Sequence, residues 1–305
     1  MTGQNRVKNY PVSGLYLDWV IRYYQSIMAQ DYGKRNFGPR VRLAKRLGQH
    51  LLVDHGYLKK VAEGADPAGV DLVLEVGPGT GNLTELLLER AKNVLAVELD
   101  RRLYAGLRTR FAGRLHLFEG DILDEGRLNP AVIEQLPPAW ALVANLPYNV
   151  ASPVIIEALY LAKPPKFLCV TIQKEVARRM AAVPGGRTYG VLSVLVQAVA
   201  KVKILTTIPP GAFLPPPKVQ SAVVKIDHSP DRAGRIHDPD HFRCLVSQLF
   251  QHRRKQIRAG WVKTLPTDLQ PQAEKALADL NIQPTQRPET ITVHQFIILA
   301  NQFHP

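Results

Sequence analysis

Asn145-Leu146-Pro147-Tyr148 sets an amide, a proline-held carbonyl and an aromatic ring at the end of the apolar run Trp140-Ala141-Leu142-Val143-Ala144. That set suits a flat base carrying an exocyclic amine. The lone pair of such an amine is delocalised into its ring, so the nitrogen attacks poorly until acceptors on its two hydrogens draw it toward tetrahedral geometry. The Asn145 side-chain oxygen and the Leu146 carbonyl can be those acceptors, and Tyr148 can stack on the ring. No general base is needed within the tetrapeptide. The plain alternative is a strand-ending turn, since Asn and Pro are common turn residues.

A second motif lies upstream. Leu72-Val73-Leu74-Glu75-Val76 runs into Gly77-Pro78-Gly79-Thr80-Gly81 and then a helical stretch, Asn82 to Arg90. This reads as strand, tight glycine turn and helix, with a backbone that a ligand can approach closely. The next buried run, Val94-Leu95-Ala96-Val97, ends in Glu98, about twenty residues after the glycines, where an acid grips a ribose diol. The first half therefore reads as a nucleoside-cofactor site. The glycines alternate, G-x-G-x-G, with Glu75 just before them, whereas a dinucleotide site usually shows G-x-G-x-x-G. With Asp121 following the strand Leu115-His116-Leu117-Phe118, this form resembles the S-adenosylmethionine site of class I methyltransferases. In that resemblance Gly77 and Gly79 approach the cofactor and Asp121 bonds its adenine amine.

Positioning these residues takes an alternating array. Strands are expected near residues 72–76, 93–98, 115–119, 140–145 and 167–173, with helices between them, which implies an α/β fold with a mainly parallel sheet covered on both faces. Two further runs, Val202 to Thr206 and Ala222 to Ile226, are joined by a short proline-rich connection and read as an antiparallel hairpin at the sheet edge. The loop between them, Gly211 to Val219, is stiffened by three prolines and could present Phe213 opposite Tyr148 to sandwich a flipped base, with Lys218 near phosphates. A rigid loop with a simply buried Phe is the alternative. After a linker near Ser229 to Arg235 the pattern is helical, and Arg253-Arg254-Lys255 places cations where phosphate contact is expected. The expected division is a basic arm at 1–40, a methyltransferase domain at 41–230 and a small all-α RNA-binding domain at 236–305.

Charge and composition narrow the partner. The 305 residues carry 39 Lys and Arg against 26 Asp and Glu, a formal net charge of +13, which points to a polyanion. No apolar run is long enough to span a bilayer, so nucleic acid is the expected partner and a membrane is not. Residues 1 to 46 hold nine of the basic residues against Asp18 and Asp31. Leu15, Trp19, Tyr23 and Ile27 recur there at helical spacing; the segment has no secretory core, and its two acids and its aromatics weigh against a presequence, so a cytoplasmic location is expected, with an organelle as the lesser reading. Cys169 and Cys244 form no zinc or disulfide pattern and are expected to be buried apolar residues. The nine His residues show no metal-binding spacing. Nothing suggests an obligate dimer, so a monomer is expected.

Taken together, Gly48-Gln49-His50-Leu51-Leu52, Glu75 to Gly81, Asn145 to Tyr148, Gln173-Lys174-Glu175-Val176, Tyr189 to Ser193, Phe213 to Lys218 and Arg253-Arg254-Lys255 resemble the ribosomal RNA adenine N6-dimethyltransferases, and among them the bacterial small-subunit (16S) enzymes. The resemblance implies a Rossmann-like class I methyltransferase fold with a small helical domain. It also implies two S-adenosylmethionine molecules consumed per adenine, two adjacent adenines near the 3′ end as targets, and a partly assembled small subunit as substrate. It assigns cofactor contacts to His50, Leu52, Gly77, Glu98, Asp121 and Asn145. Leu51 replaces the Phe usual in the leading motif, and the arm is longer than the resemblance leads one to expect. A large-subunit methylase of the macrolide-resistance type and a mitochondrial transcription factor of the same fold share parts of the pattern. A nicotinamide-dependent oxidoreductase is a more distant alternative.

Overall fold

The apolar runs that precede the glycine turn, Glu98 and the Asn145 tetrapeptide become buried strands, and the run before Asp121 becomes a half-exposed edge strand. In the computed structural model, which describes residues 50–303, a short strand β1 (Leu51–Leu52) leads into α1 (His55–Ala65), β2 (Leu72–Val76), α2 (Asn82–Leu88), β3 (Val94–Glu98), α3 (Arg101–Arg110) and β4 (His116–Glu119). A small hairpin of β5 (Leu123–Asp124) and β6 (Arg127–Leu128) and a single turn, α4 (Pro130–Ile133), precede β7 (Trp140–Asn145). Then come α5 (Ala151–Leu159), β8 (Phe167–Gln173), α6 (Lys174–Met180), α7 (Val191–Val199), β9 (Ala200–Ile208), β10 (Phe213–Leu214) and β11 (Ser221–His228). The chain finishes in helices α8 (Pro230–Ala233), α9 (Pro239–Gln251), α10 (Ile257–Gly260), α11 (Gln270–Asp279) and α12 (Val293–Gln302). The basic arm, its stripe of Leu15, Trp19, Tyr23 and Ile27, and Gly48-Gln49 lie outside the described residues.

Seven strands form one sheet in the order β4-β3-β2-β7-β8-β11-β9. The first five are parallel, and β11 runs antiparallel to both β8 and β9. The chain moves outward from β2 to β3 and β4 and then returns to β7 on the other side, so the order reverses between β2 and β7. A crevice opens at such a switch point, outside the carboxyl ends of the strands. The turn after β2 and Asn145 at the end of β7 are therefore neighbours by topology. Edge strand β9 exposes Lys201 and Lys203, charges that discourage pairing with another chain. A two-stranded ladder that the sequence pattern did not suggest pairs Leu51 with Leu214 and Leu52 with Phe213.

Caps fix the helices: Asp54, Asp100, Asp238 and Thr292 each accept from a backbone N–H in the first turn of α1, α3, α9 and α12. Helix α7 is buried along nearly its whole length, because α9 and α12 pack against it together with α5 and α6. A buried ion pair between Glu157 of α5 and Arg243 of α9 ties the sheet layer to the terminal helices, with Arg127 of β6 3.6 Å from the same carboxylate. Removing one partner of such a pair costs about 3–5 kcal/mol. Cys169 is buried as expected, but Cys244 is only partly covered on α9, where Gln248 Nε2 reaches its Sγ at 3.4 Å.

Candidate active site

Two clefts meet at the carboxyl ends of β2 and β7 and share Gly77 and Pro147 as walls. His50, Leu51, Gly79, Asn145, Leu146 and Tyr148 line the first. The second, about 550 Å³ with its open mouth, is lined by Glu98, Leu99, Asp121, Ile122 and Asn149 among others.

The turn between β2 and α2 uses backbone conformations that side chains resist. Gly77, Gly79 and Gly81 have φ of 67°, 62° and 86°, and a Cβ on Gly79 would strike the Leu51 side chain. Gly77 N–H donates to the Val97 carbonyl at 2.9 Å, and Gly79 N–H donates to Glu98 Oε2 at 3.1 Å. Asp100 N–H donates to Glu98 Oε1 at 2.9 Å. Burial raises the Glu98 carboxyl above its ordinary range while these backbone donors oppose the rise. Beneath the turn, Glu75 is fully buried and accepts from Thr84 Oγ1 at 2.7 Å. Burial pushes its carboxyl up to about 8, with the Thr84 bond working against and the nearby Glu98 charge adding to the rise.

At the other end, Asn145 Nδ2 donates to the His50 carbonyl at 2.8 Å. That bond fixes the amide orientation: the nitrogen is committed to the protein, and Oδ1 is left as the acceptor. Leu146 N–H donates to the Thr171 carbonyl at 3.2 Å, and no described group donates to the Leu146 carbonyl. Tyr148 bonds through its hydroxyl to Ser221 Oγ at 2.5 Å. Its ring lies 5.5 Å from the His50 ring, tilted by 34°. His50 Nδ1 in turn donates to the Pro215 carbonyl at 2.8 Å, since a carbonyl can only accept. An amide oxygen, a backbone carbonyl and an anchored aromatic face thus converge where an amine-bearing ring could sit.

The structure brings His50, Gly77, Gly79, Asn145, Leu146, Pro147 and Tyr148 together and sets Glu98 and Asp121 in the adjoining cleft. It does not bring Phe213 opposite Tyr148. Phe213 is 3 % exposed and packs in the core with Leu52 and Leu58, because its ladder with Leu52 turns it inward; the buried-Phe alternative holds. For the same reason Leu52 faces the core while Leu51, its neighbour on the opposite face of the strand, lines the cleft. Lys218 is exposed on the proline loop. Arg253 is a correction to the expected cationic trio. Its Nη2 donates to the Arg187 carbonyl at 2.7 Å and the Gly186 carbonyl at 3.3 Å, and its Nε lies 3.7 Å from Glu289. It clamps the loop before α7, whereas Arg254 and Lys255 are exposed.

Sequence reasoning missed Leu99, Ile122, Asn149 and Ser221. The first two had a signal: each is an apolar residue directly after a strand-end acid or its neighbour, Glu98-Leu99 and Asp121-Ile122, and together they offer two apolar walls to a planar ring. Ser221 had none, because its partner Tyr148 is 73 positions away.

A sequence model described as Ribosomal RNA adenine dimethylase matches residues 40–303. The chain belongs to that family. A relative from Gloeobacter violaceus, named Ribosomal RNA small subunit methyltransferase A, is 40% identical over 270 residues, covering 85% of this chain and 92% of that protein. Among solved structures, a dimethyladenosine transferase from Plasmodium falciparum superposes with a TM-score of 0.70 at 26% identity, over 82% of this chain and 96% of the other. The 23S rRNA methyltransferase ErmE superposes with a TM-score of 0.60 at 22% identity, over 83% and 99%, and shares the fold. Membership makes this chain a ribosomal RNA adenine methyltransferase, an enzyme of the class I methyltransferase fold rather than a binding module.

Proposed function

We propose that this chain dimethylates N6 of two adjacent adenines in the 3′-terminal hairpin loop of small-subunit ribosomal RNA, with S-adenosylmethionine as donor, during assembly of the subunit. The observation that carries this reading is the committed amide of Asn145: with Nδ2 held by His50, its Oδ1 can only accept, as an amine to be methylated requires. The Leu146 carbonyl takes the second hydrogen and Tyr148 supports the ring face.

The adjoining cleft fits a nucleoside sulfonium cofactor. The turn presents the bare backbone of Gly77 to the cleft, Glu98 sets a carboxylate there for a diol, and Asp121 can take a base amine. When bound, the cofactor supplies a methyl group already activated by its sulfonium. The protein's task is then alignment and exclusion of water. Asn145, two residues before the shared Pro147, serves both the target base and the cofactor, and His50 and Leu51 cover the glycine turn.

Relatives named as small-subunit enzymes support the target named above. We assign residues 41–230 to methyl transfer and 236–305 to RNA docking, with Lys218, Arg254 and Lys255 toward phosphates. The enzyme acts in the cytoplasm as a monomer on a pre-ribosomal particle. The test is transfer of labelled methyl to unmethylated small and large subunits offered separately, with the nucleoside identified by mass spectrometry. Dimethyladenine in small-subunit RNA alone is expected; label in large-subunit RNA would reassign the target, and no label on either would overturn the reading.

A further inference from the structure

Val183 is 67% exposed, more than any other large apolar side chain among the described residues. A single exposed apolar residue is ordinary. The loop that presents this one, between α6 and α7, is braced from several sides. Val183-Pro184-Gly185-Gly186 is a type II turn: Pro184 fills the first central position, Gly185 takes the second at φ 81°, and Gly186 N–H donates to the Val183 carbonyl at 3.1 Å. Gln197 Nε2 of α7 donates to the Met180 and Ala182 carbonyls at 2.7 and 2.8 Å. From the C-terminal region, the Glu289 carbonyl accepts from Gly185 N–H at 2.7 Å, and Arg253 Nη2 donates to the carbonyls of Gly186 and Arg187. The Tyr189 hydroxyl donates to the Ile291 carbonyl at 2.9 Å. Helix α7 and the C-terminal region thus hold one turn whose tip, Val183 and Pro184, is apolar and exposed.

The turn belongs to the reacting end of the sheet. Helix α6 starts directly after Gln173, the last residue of β8, and Thr171 of that strand is the ladder partner of Asn145. The helix and the three residues after it reach at most about 20 Å from the end of β8, so an RNA whose base enters the Asn145 cleft passes close to the tip. Arg178 and Arg187, on either side of the turn, are exposed and offer cations to phosphates. Two adjacent adenines stack on each other, and only one can occupy the cleft at a time. Its removal from the stack uncovers the face of its neighbour. Proteins that open a base step do so with inserted apolar side chains, and a tip that is already held needs no ordering when RNA arrives.

We propose that Val183 is a wedge: it packs on the base next to the target adenine and keeps the two apart while one occupies the Asn145 cleft, with Arg178 and Arg187 on the flanking phosphates. Arg253, by holding the turn, is a positioning residue for that wedge. This inference rests on the reading of adjacent adenines in small-subunit RNA as the target.

The test compares the full chain with its Val183→Ser and Val183→Ile variants on two probes. Unmethylated small subunits report single-turnover methyl transfer and affinity. A 3′-terminal hairpin RNA with 2-aminopurine in place of the adenine beside the target reports unstacking as a gain in fluorescence. Val183→Ser should keep the melting temperature and S-adenosylhomocysteine binding of the wild type, because the side chain is mostly exposed. It should lower methyl transfer by about tenfold, the scale for burial of one aliphatic side chain, with little change in subunit affinity, and it should diminish the fluorescence gain. Val183→Ile should restore both. Full transfer and full fluorescence gain in Val183→Ser would overturn the wedge, as would a loss that isoleucine does not restore. Failure of the wild type to methylate small subunits would overturn the reading of the target itself.

Discussion

The two clefts that share Gly77 and Pro147 satisfy their polar groups in opposite ways. In the Asn145 cleft the protein has met almost every demand itself: Asn145 is tied to His50, His50 to Pro215 and Tyr148 to Ser221. In the Glu98 cleft the walls are apolar and Asp121 is exposed. The end where chemistry takes place is held before anything binds, so that acceptors meet the amine without reorganisation. On the proposed reading, the other end recognises the nucleoside through groups that the protein leaves to the ligand, Asp121 among them.

The comparison breaks most visibly at Asn145. Asn145→Ala removes an acceptor from the reacting amine and also frees the His50 carbonyl. Single-turnover methyl transfer should fall by about 10²–10³-fold, the range for loss of one preorganised polar group. Binding of S-adenosylhomocysteine to the other cleft should change far less. An equal fall in both would mean that the two ends are not separable and that Asn145 is chiefly a cofactor ligand.

Gly79 lies in the turn whose Gly77 the clefts share, and its N–H holds Glu98, so its substitution should damage binding first. At φ +62° an alanine is strained by roughly 1–2 kcal/mol, and its methyl group would also displace Leu51. Gly79→Ala should weaken cofactor binding about tenfold or more on that strain, and Leu51→Ala in the same chain should restore only the steric part. Full restoration would show that the backbone conformation carries no weight.

How far the sequence disclosed this arrangement follows from what fixes each residue. The strands, the glycine turn, Glu98, Asp121 and the Asn145 tetrapeptide were legible because each is local: an apolar run of fixed period, then the residue that must follow it. Phe213 and Arg253 sit elsewhere than expected because partners distant in sequence decide them. A two-residue ladder between Leu51–Leu52 and Phe213–Leu214 turns Phe213 and Leu52 inward, and carbonyls at Gly186 and Arg187 capture Arg253.

The basic trio can be divided on the same logic. Arg254→Ala with Lys255→Ala should weaken RNA binding and make the log–log salt slope shallower by about 0.7–0.9 per cation removed, with melting unchanged. Arg253→Ala should instead lower the melting temperature, because it releases the loop before α7. A salt slope that moves with Arg253 alone would reverse the assignment.

Glu75 gives the ligand-free scaffold a pH signature. Its folded-state carboxyl titrates near 8, above the 4.5 of an ordinary glutamate, so in that window the folded chain holds a proton that the unfolded chain has lost. The contribution to stability is fully present below the ordinary value and is lost as pH rises through about 8. Melting temperature should therefore decline between pH 4.5 and about 8, and Glu75→Gln, neutral throughout, should flatten that decline. An unchanged slope in the variant would place the titration elsewhere.

The smallest effect expected is at Tyr148, and it tests the claim that the reacting end is held by the protein's own bonds. Tyr148→Phe keeps the ring for stacking and removes only the hydroxyl bonded to Ser221. Ser221 is fully buried, so its hydroxyl is left unmet in the variant, and a single neutral hydrogen bond is worth about 1 kcal/mol net. Methyl transfer should fall by roughly fivefold on that scale, with RNA and cofactor affinity retained, because the ring face survives while its orientation loosens. Ser221→Ala should produce a similar fall from the other partner, and the double variant should cost little more than either alone, as expected when both act through one bond. Additive losses would mean that the hydroxyl and Ser221 act separately, and the aromatic face would then owe its position to the His50 ring beside it.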